Sequence, residues 1–149
     1  MDYRIEFAVP PSPQLWRLFL TTGWNDEYAI SSEAYEKACR DSWFAVSAYD
    51  GEWLVGFGRV LSDGLLHAMI YDLITDPRYQ GRGIGTKVLD ALVSRCRAEG
   101  IRDVQLFCAE GKRRFYEQRG FHSRPDQAPG MELGVTSSGR DAARSPVQS

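Results

Sequence analysis

The sequence has 149 residues, of which 43% are hydrophobic and 26% are charged; these values suit one globular domain and exclude a chain that is disordered throughout. Eighteen lysines and arginines against 20 aspartates and glutamates give a formal net charge of −2. This balance lacks the basic excess of a nucleic-acid-binding surface, so nucleic acid is excluded as the main partner.

The first forty residues predict a short edge strand and two helices. Residues 3–9 alternate weakly, and the prolines at positions 10, 11 and 13 prevent the strand from continuing. A helix is expected to start there, and Ser31 is a typical N-cap for a second helix. Residues 21–30 are predicted to form the intervening loop. The loop carries Trp24, Asp26, Glu27 and Tyr28.

Residues 42–75 predict three strands. The runs 42–49 and 52–61 flank Asp50-Gly51, which is the commonest kind of hairpin dipeptide. After a turn at Asp63-Gly64, residues 65–75 are almost continuously apolar, as in a strand that is covered on both faces. Asp72 is the one acid in this run, and strict alternation puts its side chain on the face opposite Tyr71.

The rest of the chain predicts a long helix, a strand and a short helix. Apolar residues recur at helical spacing from Gly83 to Gly100, residues 101–108 resemble a strand, and residues 111–119 predict a helix. The order strand–helix–strand predicts a βαβ unit whose strands run parallel. We expect an α/β (α+β) fold in a single domain over residues 1–133, followed by a mobile C-terminal tail over 134–149.

The three cysteines and two histidines form no metal-ligand pattern, so we expect neither a disulfide framework nor a metal site. No apolar run reaches the length of a membrane span, and the N-terminus lacks the apolar region of a secretion signal. The expectation is a soluble, cytoplasmic protein without a membrane partner.

The segment from Gln80 to Thr86 reads QGRGIGT and joins the buried strand to the long helix. Its three glycines leave backbone N–H groups unshielded, while the helix N-terminus adds roughly half a positive charge. Arg82 and Lys87 add cations. We therefore expect the turn to hold an anion such as a pyrophosphate; the alternative is a tight turn that binds nothing. The glycines required for ATP-binding and dinucleotide-binding motifs are absent from it.

Gln80-x-x-Gly83-x-Gly85 resembles the signature Q/R-x-x-G-x-G/A of the GNAT superfamily of acyl-CoA N-acyltransferases. The resemblance extends from His67 to Leu133 and includes FYEQRGF and a later Gly-Met pair. The pattern is most similar to plant-type serotonin (arylalkylamine) N-acetyltransferases and their bacterial relatives. It implies a GNAT fold, with a mixed, mostly antiparallel sheet, helices on both faces, and a bulged strand that splays from its parallel neighbour. Homodimers are common among similar proteins.

The resemblance also implies roles for individual residues. The turn would hold the pyrophosphate of acetyl-CoA, the strand before it would pair with the pantetheine arm, and its backbone N–H near Leu73 would steady the oxyanion. Tyr116 would protonate the departing thiolate; the alternative is a core aromatic pair with Phe115. Lys112 stands where many relatives have Asn. The implied acetyl-CoA contacts are Leu73, Ile74, Thr75, Gly81, Arg82, Gly83, Ile84, Gly85 and Thr86.

The group that accepts the proton of the attacking amine is less defined. An amine of pKa about 10.4 needs about 4–5 kcal/mol to lose its proton at pH 7. Relatives often place Glu or His where Met69 and Tyr71 stand. Asp72 is the nearest acid, and it either acts as the base, orients the amine, or is structural. His67 is a weaker candidate, and Tyr71 could line the site through a water molecule.

Together, these observations predict transfer of the acetyl group of acetyl-CoA to a primary amine of a small molecule, by direct attack in a ternary complex. The acidic and aromatic loop 21–30 would attract a cationic amine; the alternative is an ordinary solvated loop. Covalent catalysis by Cys39 or Cys108 is disfavoured because neither lies in an evident electropositive environment. Two other functions stay open: acetylation of protein amines, and a non-catalytic acyl-CoA sensor.

Overall fold

A computed structural model describes residues 2–134 of the chain. The strands are β1 (Arg4–Glu6), β2 (Phe44–Asp50), β3 (Trp53–Ser62), β4 (His67–Thr75) and β5 (Asp103–Leu106). The helices are α1 (Ser12–Leu20), α2 (Asn25–Tyr28), α3 (Ser32–Arg40), α4 (Ile84–Ala98) and α5 (Arg113–Glu117), and a 3-10 turn covers Pro77–Tyr79. Apart from Gly134, the tail predicted over 134–149 lies outside the described residues. No helix within residues 2–134 is long and apolar enough to cross a membrane.

The five strands form one sheet in the order β1-β2-β3-β4-β5. Neighbouring strands are antiparallel from β1 to β4, whereas β4 and β5 are parallel. The predicted mixed, mostly antiparallel sheet with one parallel pair is therefore confirmed.

Helices cover both faces of the sheet, as predicted. On one face, α4 buries Val88, Leu89 and Leu92 against Val46 and Ile70. On the other face, α1 and α3 form a second cluster, in which Phe19 and Tyr35 stack at 3.9 Å between ring centroids. The buried strand β4 contributes to both clusters, which explains its almost continuous apolar sequence.

Several parts of the chain differ from the prediction. The strand expected over residues 101–108 spans only Asp103–Leu106, and the helix expected over 111–119 spans Arg113–Glu117. The loop expected over residues 21–30 contains the short helix α2. The strand expected from residue 65 begins at His67, and Leu65 is 76% exposed. The Asp63 carboxylate explains this later start, because its Oδ1 accepts the backbone N–H groups of residues 65, 66 and 67 and holds them in a turn.

Two glycines of β3 let α4 approach the sheet closely. A Cβ at Gly56 would lie 2.6 Å from a methyl carbon of Ile84, and one at Gly58 would lie 2.8 Å from a methyl carbon of Leu92. A larger residue at either position would push α4 away. The beginning of α4, and the glycine-rich turn before it, are therefore held next to the end of β4.

β4 carries the bulge that the family resemblance implies. Arg59 pairs with Tyr71, whereas Phe57 pairs with Ile74, so β4 has one more residue than β3 between these pairs. Asp72 lies in this bulge and has a φ of 53°. Paired residues share a face of the sheet, and Asp72 binds Arg59, so Asp72 lies on the same face as Tyr71. The opposite placement, predicted from strict alternation, is wrong because the extra residue reverses the alternation.

Candidate active site

The parallel strands separate along their length and leave a cleft. β5 pairs only with His67–Ile70 of β4, so within residues 2–134 no strand borders the remainder of β4 on that side. A cleft of about 290 Å³ opens here. Leu73 and Thr75 of β4 line one wall, Gln80, Gly81 and residues 83–86 of the turn line another, and Lys112 and Phe115 close it. Seven of the nine predicted contacts thus line one cleft; Ile74 packs into the core under α1 and α3 instead, and Arg82 is not part of the lining.

The glycine-rich turn has the backbone geometry of an anion site. Gly81 and Gly83 have φ values of 77° and 81°, which are unfavourable for residues with a side chain. Gly83 is the N-cap of the 15-residue helix α4, and no described side chain caps that helix. The N-terminal amides of α4 and its dipole are therefore directed at the cleft. This environment fits the diphosphate of coenzyme A.

Side chains around the turn hold it in place. The Arg82 guanidinium lies over the Tyr79 ring at 4.9 Å, and the Tyr79 hydroxyl donates to Asp50 over 2.8 Å. On the other side, Nη2 of Arg119 donates to Oγ1 of Thr86 over 3.0 Å. These contacts fix the turn relative to β2 and to the residues that follow α5.

A buried carboxylate fixes the junction between β4 and the turn. Asp76 is 2% exposed, and its Oδ2 accepts from Arg17 at 3.1 Å, from Arg78 at 3.2 Å and from the Trp53 indole at 3.4 Å. Burial alone would raise the pKa of Asp76, but the hydrogen bonds from Arg78, Trp53 and Arg17 outweigh it and lower the pKa to about 2. The Asp76 side chain is therefore ionised at neutral pH and ties the junction to α1.

Tyr116 lies beside the cleft rather than in its lining. It is 3% exposed and packs edge-on against Phe121 at 6.0 Å, while its neighbour Phe115 faces the cleft. On its other side, Tyr116 borders a larger cavity of about 880 Å³ between β5, α5 and residues 120–131. Burial, and then the nearby Cys108, raise the pKa of Tyr116. The phenol therefore stays protonated at neutral pH, as a proton donor must.

Asp72 is held by two partners beneath the bulge. It is 5% exposed, and its Oδ2 accepts from Nε of Arg59 at 2.7 Å and from the Tyr35 hydroxyl at 3.1 Å. Burial would lower the pKa of Arg59, but the Asp72 carboxylate outweighs it and raises that pKa. The left-handed backbone of Asp72 costs about 1–2 kcal/mol, which these bonds help to offset.

The short helix α2 lies near the same part of β4. Tyr28 is 50% exposed and its ring lies 6.5 Å from that of Phe19; its pKa is raised by burial and then by the charges of Asp72 and Tyr71. Trp24 packs edge-on against Phe19 at 6.3 Å and thus belongs to the margin of the core. The aromatic residues of the predicted loop are therefore divided between the core and the surface over β4.

Several other sequence candidates lie away from the cleft. His67 is at the opposite end of β4, where its Nδ1 contacts the Asp103 carboxylate. Burial raises the pKa of the Cys39 thiol to about 11, and partial burial also raises that of Cys108. Neither thiol is thus activated as a thiolate. The sequence analysis missed Arg59 and Asp76; a charged residue in an apolar strand was the available signal for Arg59.

Comparisons with known proteins agree with this geometry. A family model described as the acetyltransferase (GNAT) family matches residues 13–121. GCN5-related N-acetyltransferase 1, chloroplastic, of Arabidopsis thaliana is 35% identical over 77 residues, which cover 52% of this chain and 39% of that protein. Serotonin N-acetyltransferase 2, chloroplastic, of Oryza sativa subsp. japonica is 34% identical over 77 residues, covering 52% and 38%. The chain thus spans less than half the length of these curated relatives.

The fold is also found among solved structures. A GNAT-family acetyltransferase from Streptococcus pneumoniae superposes with a TM-score of 0.76 and is 24% identical, over 92% of this chain and 100% of that chain. At this level of identity the similarity establishes the shared fold.

Proposed function

Because the chain belongs to the GNAT family of acetyltransferases, we propose that it transfers the acetyl group of acetyl-CoA to a primary amine of a small molecule, by direct attack in a ternary complex. The observation that carries this proposal is one cleft that joins the glycine-rich turn to the exposed side of β4. A diphosphate-binding turn and a strand edge are what a nucleotide with an extended amide-containing arm requires.

In this proposal, the donor substrate lies along the whole cleft. Backbone amides from Gly81 to Thr86 would hold the diphosphate, with the helix dipole of α4 and the guanidinium of Arg82 adding positive charge. The main chain from Leu73 to Thr75 would pair with the pantetheine arm, as an added strand does. The thioester would then lie near the bulge of β4. Lys112, at the edge of the cleft, would supply a charge where relatives often have an amide.

Two groups would assist the acetyl transfer. The β4 main chain near Leu73 would stabilise the oxyanion that forms when the amine adds to the thioester carbonyl. When that adduct collapses and the C–S bond breaks, the Tyr116 hydroxyl would donate its proton to the leaving sulfur. The raised pKa of Tyr116 keeps the phenol protonated throughout the neutral range, and it also makes the phenol a weaker acid than a free tyrosine.

We propose that Asp72 positions the residues of the site. A water molecule beside Tyr71 would remove the proton of the amine. Oδ2 of Asp72 already accepts hydrogen bonds from Arg59 and from the Tyr35 hydroxyl, and these contacts favour a positioning role for the side chain. The base role predicted from the sequence for Asp72 stays a prediction. A variant described in the Discussion separates the two roles.

The acceptor is assigned to the surface between α2 and β4. Tyr28 offers a half-exposed ring, and Asp26 and Glu27 of α2 add negative charge. A cationic amine attached to an apolar group suits such a surface. This arrangement supports a small amine as the acceptor.

The test is thiol release from acetyl-CoA with a panel of acceptors: arylalkylamines, amino sugar phosphates, polyamines and lysine-containing peptides. We expect saturable release with at least one small amine, above the hydrolysis measured without an acceptor. Faster release with peptides than with every small amine would instead assign a protein acceptor. Saturable acetyl-CoA binding without release for any acceptor would indicate a sensor.

A further inference from the structure

The bulge in β4 decides which side chains face each layer of the protein. Leu73 packs with the α4 cluster, while Ile74 packs with the cluster under α1 and α3. In a β4 without the extra residue, the alternation would place Leu73 and Ile74 on the opposite faces. The bulge therefore fixes the register of the residues of β4 that follow Asp72.

The burial of apolar side chains does not favour one of these two registers over the other. Leu73 and Ile74 are apolar side chains of the same size, so exchanging their faces changes little in the burial of apolar area. Asp72 is different. On the α4 face it would stand among buried apolar residues such as Val88 and Leu92, whereas on the other face it meets Arg59.

Arg59 is itself rigidly placed. Its Nη1 donates to the Ala38 carbonyl at 3.3 Å and to Oγ of Ser42 at 3.2 Å, at the end of α3 and just after it. The side chains of Arg59 and Asp72 are 13% and 7% exposed. A buried guanidinium that is fixed by these two contacts presents its Nε to only one position on β4.

We propose that Arg59 is a positioning residue that sets the register of β4 by drawing Asp72 to the α3 face, and so presents the main chain from Leu73 to Thr75 to the pantetheine arm of the donor. This inference rests on the proposed function. It separates two parts of donor binding: the nucleotide and diphosphate are held by the glycine-rich turn, and only the pantetheine arm depends on the register of β4.

The test measures how two ligands bind to the double variant Arg59→Met/Asp72→Leu. Coenzyme A carries the pantetheine arm, and adenosine 3′-phosphate 5′-diphosphate carries the same nucleotide and diphosphate without it. The double variant contains no unpaired buried charge, so it is expected to fold, because replacing a buried ion pair by apolar residues is often neutral or stabilising. Leucine disfavours the left-handed backbone of the bulge and suits the α4 face.

We expect calorimetry to show that the double variant weakens coenzyme A binding at least about tenfold and changes nucleotide binding less than about twofold. Arg59→Lys keeps a cation beside Asp72, so this variant should keep most of the wild-type affinity for coenzyme A. The matched control is Glu36→Leu/Arg40→Met, which removes a more exposed ion pair on α3 and should change neither affinity.

An unchanged affinity of the double variant for coenzyme A overturns the inference, as does an equal loss for both ligands, since either result would make the pair merely structural. Arg59→Lys behaving like the double variant also overturns it. A wild-type protein that binds neither ligand would instead refute the proposed function, so the two failures are distinguishable.

Discussion

Ile70 of β4 and Leu106 of β5 are the last residues that face each other in the parallel ladder. Beyond them β4 continues for five residues to Thr75 and β5 ends, so the space between the strands becomes the cleft under the glycine-rich turn. The bulge at Asp72 lies just after this point. The position of the proposed reaction is thus set by where the two strands part.

Replacement of Tyr116 by phenylalanine should lower kcat at least about tenfold, with a change in acetyl-CoA affinity below about twofold, because in the proposed mechanism the hydroxyl acts only on the departing sulfur. Since the pKa of Tyr116 is raised by burial, wild-type kcat should show no loss from ionisation of this phenol between pH 6 and about 9. Steady-state thiol release measures both. Tyr49→Phe, which removes another buried phenol from β2, is the control. An unchanged kcat in Tyr116→Phe would remove the assigned role.

The glycine-rich turn can be tested with a matched pair of glycine variants. Gly83 and Gly100 have φ values of 81° and 76°, and a Cβ at either position would meet no described atom within 4 Å. Both alanine variants should therefore lose similar stability, about 1 kcal/mol. Only Gly83→Ala should also weaken coenzyme A binding, by about tenfold, because only that turn would hold the diphosphate. Calorimetry giving equal affinities for the two variants would contradict the assignment.

Replacement of Asp72 by asparagine separates positioning from proton transfer. Asparagine tolerates a left-handed backbone and keeps an oxygen that accepts from Arg59 and Tyr35. We expect kcat to fall less than about tenfold and to keep the pH dependence of the wild type, although stability decreases because Arg59 loses its counter-charge. A loss of more than about a hundredfold, together with a changed pH profile, would make Asp72 the base.

Asp76 should contribute a pH-dependent part of the stability. Its pKa is lowered from 3.8 to about 2 in the folded state, so its contribution is fully present above the unfolded pKa and is lost as the pH falls from about 4 to 2. The shift corresponds to about 2 kcal/mol.

Urea unfolding of Asp76→Asn at several pH values measures this contribution. The deficit in unfolding free energy relative to the wild type should be largest above pH 5 and should shrink towards pH 2. Asp90→Asn, at an exposed position of α4, is the control. A deficit that is constant from pH 2 to 7 would show that the loss comes from packing rather than from ionisation.

Local sequence signals predicted much of the fold and the turn that lines the cleft. The glycines at 81 and 83 are required by the backbone itself, Ser31 accepts the N–H of Ala34 as an N-cap, and the hairpin forms with its two-residue turn at Gly51-Glu52, one residue later than predicted. Each of these depends on residues that are close together in the chain. The turn, the long helix α4 and the order of the strands follow from such signals.

Only the tertiary structure decided the environments of Asp72 and of Asp76, the residue that follows β4. The partners of Asp72 are 13 and 37 residues away in sequence, and Arg17 is 59 residues from Asp76. Periodicity predicts one face for each residue of a strand, but a single extra residue reverses every face after it. The sequence by itself therefore determined that a glycine-rich turn follows a buried strand, while long-range contacts of buried charges determined how that strand faces the turn, because a buried charge is stable only where a partner is held.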